Sequence, residues 1–371
     1  MLIIMRNWTF LKTFSILICL SLFISISIGK ATGVGLESSN NSTVPIIFDE
    51  SHLNSGLTYS LYQFDHENAM QKPLELLNQL DFNGDFLSDF NVLINKERFT
   101  ASYFEDVGPY GILIMTLLDE KIGSSEGKII KEWVKNGGSI FIATQPDYAG
   151  FGYCKVEETN SLLKKLNVYD MFHLYQFEDV NGNINSDELY DDNSSHQFMI
   201  DGKPTNPWDI VVSENQFSAN EFGLEMKEGI KNVLLGVSTI EVNSSEYVGA
   251  YSWEESYSVS DVTNEQQLQD EAIPWLVGTK LGKGRVILLG STFPIADWAI
   301  YGTTLKFIDQ HDNMRLWINM IKWLKETDAY NSSNNNTSTT TSSSPTSGFT
   351  QILFAEVLAL IAIFHKAWRK K

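Results

Sequence analysis

Glu126-Gly-Lys-Ile-Ile-Lys-Glu-Trp-Val134 runs directly into Lys135-Asn-Gly-Gly-Ser-Ile-Phe-Ile-Ala-Thr144, and this junction decides the fold. Ile129, Ile130, Trp133 and Val134 recur at helical spacing, so the pattern predicts a helix over 125–136. Gly137-Gly138 ends it, because glycine enters the left-handed region past a helix C-terminus without a Cβ penalty. Ser139 to Thr144 is then continuously apolar, the mark of a strand buried on both faces. A helix, a glycine stop and a doubly buried strand form the second half of a βαβ unit.

The same alternation extends outward. Pro45 to Glu50, Phe90 to Ile94 and Gly111 to Leu117 read as strands upstream. Leu74, Leu76, Leu77 and Leu80 mark a helix within 68–80, and 101–107 is a short amphipathic piece. Downstream, Thr159 to Leu166 is helical. After a long break, Ile273 to Thr279 and Arg285 to Gly290 read as strands joined by the turn Lys280-Leu-Gly-Lys-Gly284. Asp312 to Glu326 closes the series as a helix with Leu316, Trp317, Met320, Ile321, Trp323 and Leu324 apolar. The expectation is an α/β domain over 44–330 with a mainly parallel sheet covered on both faces. Residues 167–272 break the rhythm, being rich in Asn, Asp, Glu and aromatics, with short runs at 209–212, 233–237 and 248–253. They read as an inserted, irregular antiparallel region or cap.

The two ends point to a membrane. Arg6 and Lys12 precede an apolar core, Phe14 to Ile28, and small residues follow, so 1–32 reads as a secretory signal or an uncleaved anchor. Residues 331–348 form a Ser/Thr/Asn-rich stalk that cannot build a core. An apolar run over 349–365 follows, then the basic tail 366–371, which belongs on the cytoplasmic side of a transmembrane anchor. The globular part is thereby expected outside the membrane, at the cell surface. Sequons at Asn40, Asn41, Asn193, Asn243, Asn331, Asn335 and Asn336 fit a glycosylated exterior. The chain carries 27 Lys+Arg against 46 Asp+Glu, a net charge of −19, which repels nucleic acid and phosphate-rich ligands. Its 2 cysteines are Cys19, inside the apolar core of the signal, and Cys154. With Cys19 removed no internal disulfide can form.

These pieces resemble a known fold family. The residues that carry the resemblance are Phe48-Asp49-Glu50-Ser51-His52, the 126–142 stretch, Gly282-Lys-Gly-Arg-Val-Ile-Leu-Leu-Gly290, and Asp312-Asn313 leading to Asn319-Met-Ile-Lys-Trp-Leu324. Together they are similar to the class I glutamine-amidotransferase-like fold, and more narrowly to its extracytoplasmic members and to auxiliary domains associated with gliding or transport. The resemblance implies a flavodoxin-like, doubly wound sheet. It also implies lost hydrolase chemistry. The nucleophile turn reads Gln145-Pro-Asp147-Tyr148 without a thiol, Cys154 lies beyond it without flanking glycines, and no His-x-Glu pair is present. The stalk, apolar helix and basic end resemble archaeal C-terminal sorting tails, with Ser347-Gly348-Phe349 in place of Pro-Gly-Phe.

Ligands of open parallel sheets bind outside the carboxyl ends of the strands. Asp49, Glu50 and His52 lie just past the first strand, and Asp147, Asp297 and Asp312 converge on the same edge if Thr144 and Gly290 end strands. Such groups bind a cation or sugar hydroxyls, or they cap helices and order loops. Asp179, Asn181, Asn183 and Glu188 have the flavour of a calcium loop, although Phe177 occupies the first ligand position; an Asn/Asp-rich turn without metal is the alternative. No other cofactor is expected. The sequence supports a membrane-anchored surface module that binds a glycan, a peptide or a partner protein. The alternatives are a divergent surface hydrolase using the edge carboxylates, and an auxiliary ectodomain of a transport or motility complex.

Overall fold

The computed structural model describes residues 44–53, 70–77, 90–145, 155–178, 182, 184–260, 266, 268 and 272–327. Contacts divide the chain into 1–43, outside the described residues, and a second unit beginning at Val44. The expected signal, stalk, anchor and tail lie outside the described residues, as do Asn40, Asn41, Asn331, Asn335, Asn336 and Cys154. No helix among the described residues is long and apolar enough to cross a membrane.

The protein is a mixed α/β structure with a mainly parallel central sheet and several small antiparallel sheets. The central sheet contains β1 (Val44–Asp49), β2 (Phe90–Asn95), β3 (Ile112–Thr116), β4 (Ser139–Ala143), β5 (Val248–Tyr251), β6 (Pro274–Leu281) and β7 (Gly284–Leu289). Its order is β5-β6-β7-β4-β3-β1-β2. The pairs β1–β2, β1–β3, β3–β4 and β4–β7 are parallel, whereas β6 is antiparallel to both β7 and β5.

Strand pleating sends alternate side chains to opposite faces, and here both faces are dry. Ile46, Phe48, Ile114, Phe141, Ile287 and Leu289 pack with Leu316, Trp317, Met320 and Ile321 of helix Asn313–Lys325. Ile47, Leu113, Met115, Ile142 and Leu288 face the other way, onto helices Ser124–Asn136 and Val156–Leu166. In chain order the helices are α1 (Gln71–Leu77), α2 (Ala101–Val107), α3 (Ser124–Asn136), α4 (Val156–Leu166), α5 (Glu221–Met226) and α6 (Asn313–Lys325).

The opening junction behaves as its residues dictate. α3 ends at Gly137, whose φ of 130° only glycine adopts without strain, and the Gly137 and Gly138 N–H groups donate to Val134 O and Trp133 O. The glycine-rich turn before β7 has a packing role. A Cβ on Gly284 would sit 1.8 Å from Gly138 O and 2.2 Å from Val134 O, so Gly284 lets β7 slide beneath the end of α3.

Residues 167–272 are not cap throughout. Their run Val248–Tyr251 is β5, the antiparallel edge of the central sheet, with register irregularities at Ala250. Val248 and Ala250 are fully buried, so the segment completes the core that β6 would otherwise expose. The other described residues of the region include helix α5 and two-stranded ribbons, among them Phe172–Leu174 with Ile240–Val242 and Asp187–Tyr190 with Tyr257–Ser260.

Candidate functional site

The carboxyl edge of the parallel strands is where the sequence places its candidate residues, and the structure brings two of them into contact. β1 leaves the sheet at Asp49. Asp49 Oδ1 accepts from Ser51 N at 3.0 Å, Ser51 Oγ at 2.7 Å and Asn95 Nδ2 at 3.2 Å. Its other oxygen lies 2.5 Å from His52 Nδ1. The far nitrogen, Nε2, lies 3.2 Å from Glu126 Oε2, an ion-pair contact without a formed hydrogen bond. Glu126 Oε1 accepts the Phe99 N–H at 2.7 Å, and Arg98 approaches its other oxygen at 3.6 Å. The His52 carbonyl accepts from both Asp119 N and Glu120 N, and its ring stacks on Phe99.

His52 is therefore a hub. It ties the end of β1 to the segment after β2, the loop after β3 and the first turn of α3. Its side chain is 0% exposed. Burial alone pushes an imidazolium pKa down; the contacts to Asp49 and Glu126 and their negative charges outweigh burial and raise it to about 9. Burial pushes Glu126 up, but His52, the Phe99 N–H and Arg98 hold it below its usual value. The result is a buried cation between two carboxylates, oriented for holding loops together.

The remaining expected residues have separate partners. Glu50 faces Lys96 at 3.5 Å. Asp297, 3% exposed, accepts from Lys72 N at 2.8 Å and from Lys306 Nζ at 3.2 Å, fixing the start of α1 and the 297–306 loop. Asp312 accepts from Lys231 N and Asn232 N, so it joins the start of α6 to the irregular region. Trp298 is packed against Phe293, whereas Tyr301 is 78% exposed. Asp147 lies outside the described residues, as do Asp179, Asn181 and Asn183. Glu188 is buried in a strand opposite Val259, where a loop ligand was expected. Beside it Asp187, also buried, accepts from Thr239 N and Oγ1, and burial pushes its pKa up. No group of three His, Cys, Asp or Glu side chains that could hold a metal ion is found among the described residues.

Of the two described sequons, Asn193 sits on an exposed turn in which its Oδ1 accepts from Ser195 N and Oγ. Asn243 Nδ2 donates to Asp170 O at 2.5 Å. Sequence reasoning did not find Glu126. It stands four residues before Ile130 on the apolar stripe of α3, and a carboxylate there needs a buried cationic partner.

No protein-family model matches the chain, and no curated protein matches it. Among solved structures, the chain is similar to the N-terminal domain of mmIFT52, with 14% identity over 76% of this chain and 98% of that one and a TM-score of 0.50. It also matches a cytoplasmic protein from Salmonella typhimurium LT2 (13% identity, 76% and 99% covered, TM-score 0.36). A ThuA-like protein from Bacteroides uniformis ATCC 8492 matches with 12% identity, 76% and 91% covered and a TM-score of 0.37. At these identities the first likeness speaks to fold alone, and the other two carry no argument.

Proposed function

We propose that this chain is a membrane-anchored, cell-surface binding or scaffold module on a doubly wound, amidotransferase-like domain whose edge acids hold the fold together. The observation that carries this reading is the environment of His52. A general acid or base must reach its substrate, whereas His52 is buried, with a carboxylate at each ring nitrogen. Asp297 and Asp312 are likewise engaged, by Lys306 and by backbone N–H groups. The membrane placement rests on the apolar ends and the stalk. The ligand classes that suit such a module are a glycan, a peptide or a subunit of a membrane complex.

Two readouts on the full chain test the proposal. Protease added to intact cells should remove a tag placed in the globular part; a tag shielded behind the membrane would overturn the surface placement. Peptide and glycan panels should be bound without turnover. Turnover that disappears in Asp49→Asn with the fold retained would replace the module with a hydrolase.

A further inference from the structure

A cleft of about 440 Å³ lies between the ribbon Phe172–Leu174/Ile240–Val242 and the ends of the antiparallel-paired strands β5 and β6 at Tyr251 and Pro274. Its size falls within the range of small-molecule sites, and ligands favour such junctions between substructures. Its polar side comes from Asp170, His173, Glu241 and Asn243; Tyr251 and Ile273 contribute to its apolar side.

The polar side is held in place before any ligand arrives. His173 and Glu241 are direct cross-strand partners, and His173 Nε2 lies 2.7 Å from Glu241 Oε2. His173 Nδ1 is 3.2 Å from Tyr169 O, and the Tyr169 ring stacks on the imidazole with centroids 4.2 Å apart. Lys164 Nζ lies 4.4 Å above that Tyr169 ring. Asn243 is pinned through Asp170 O and Met171 O. Unlike His52, these groups are reachable: the His173 side chain is 24% exposed and that of Glu241 46%.

The chemistry of the lining selects a ligand class. Carboxylates accept only, so Asp170 and Glu241 suit hydroxyl donors. Tyr251 and Ile273 suit an apolar C–H face. Two carboxylates beside one imidazole, on a chain of net charge −19, disfavour an anion. We propose that this cleft binds an uncharged pyranose unit of a surface glycan, with Glu241 and Asp170 on its hydroxyls and Tyr251 against its ring. The proposal rests on the binding-module reading and gives that module its ligand class and site.

The test uses the full chain in a sugar-free detergent. Methyl glycosides of glucose, galactose, mannose and N-acetylglucosamine, and their disaccharides, are screened by saturation-transfer NMR and calorimetry. A sialylated sugar and a lysine-rich peptide serve as comparators. At least one neutral sugar should bind the wild type. Affinity should fall about tenfold in Glu241→Gln, which keeps the side chain's shape, and binding should vanish in Ala272→Trp, which fills the cleft from its rim. Unchanged melting of both variants controls for folding. No neutral sugar bound, equal binding by all three proteins, or binding of the comparators alone would overturn the proposal. Sugar binding indifferent to both substitutions would leave the module reading standing and remove this site; a tag protected from external protease would undo that reading through a separate measurement.

Discussion

His52 and His173 each face a carboxylate, and the fold uses them in opposite ways. His52 lies at the carboxyl edge of a parallel sheet, where open α/β proteins usually bind ligands, yet it is sealed between Asp49 and Glu126. His173 lies on a two-stranded ribbon of the irregular region, with a single carboxylate partner and a cleft in front of it. Of the two histidines, the one at the expected ligand edge is buried against carboxylates, and the one in the irregular region is partly exposed. Burial decides the difference: a buried ion pair must be fully partnered, which leaves little over for a ligand.

The sharpest way to break this comparison is His52→Ala. It strands Asp49 and Glu126 in the interior, and stability should fall by about 3–5 kcal/mol, read from urea unfolding midpoints. A loss below about 1 kcal/mol would mean that the edge is not held by His52. The pH dependence comes next. The folded-state pKa of His52 is raised from 6.5 to about 9, so its contribution is complete below about pH 6.5 and is lost as pH rises through about 9. The wild type should lose on the order of 3 kcal/mol more than His52→Ala between pH 6 and pH 10. Parallel curves for the two proteins would refute the charged hub. Asp297→Ala, which removes the acceptor for Lys72 N and the partner of Lys306, should cost about 1–3 kcal/mol in the same assay. The smallest effect belongs to the other histidine. His173→Ala breaks a partly exposed pair and should change stability by about 1 kcal/mol or less. A loss comparable to that of His52→Ala would erase the distinction between the two sites.

Much of the sheet was legible because its strands are continuous apolar runs. Ile46-Ile47-Phe48, Ile112 to Met115, Ile140 to Ala143 and Val286 to Leu289 can be satisfied only by cover on both faces. The helices α3 and α6 declared themselves by their stripes. β5 was legible as a short run at 248–253 but not as a member of the central sheet, since its pairing with β6 joins segments distant in sequence and its register is broken at Ala250. At the edge, Asp49 and His52 were visible from their place after β1, whereas Glu126 was concealed inside an apolar helix face. The backbone N–H partners of Asp297 and Asp312 come from segments far away in the sequence and were not legible there: Lys72 for the first, Lys231 and Asn232 for the second. The cleft was invisible because its ribbon pairs Phe172–Leu174 with Ile240–Val242, two three-residue segments with no pattern of their own.

The return of the irregular region into the sheet as β5 has a consequence for anyone trimming this protein. Excising everything from 167 to 272 would strip β6 of its neighbour and leave a bare row of backbone donors and acceptors, a template for chain-to-chain stacking. A shortened form that stays monomeric must keep Val248–Tyr251, so the excursion can be pruned but not amputated.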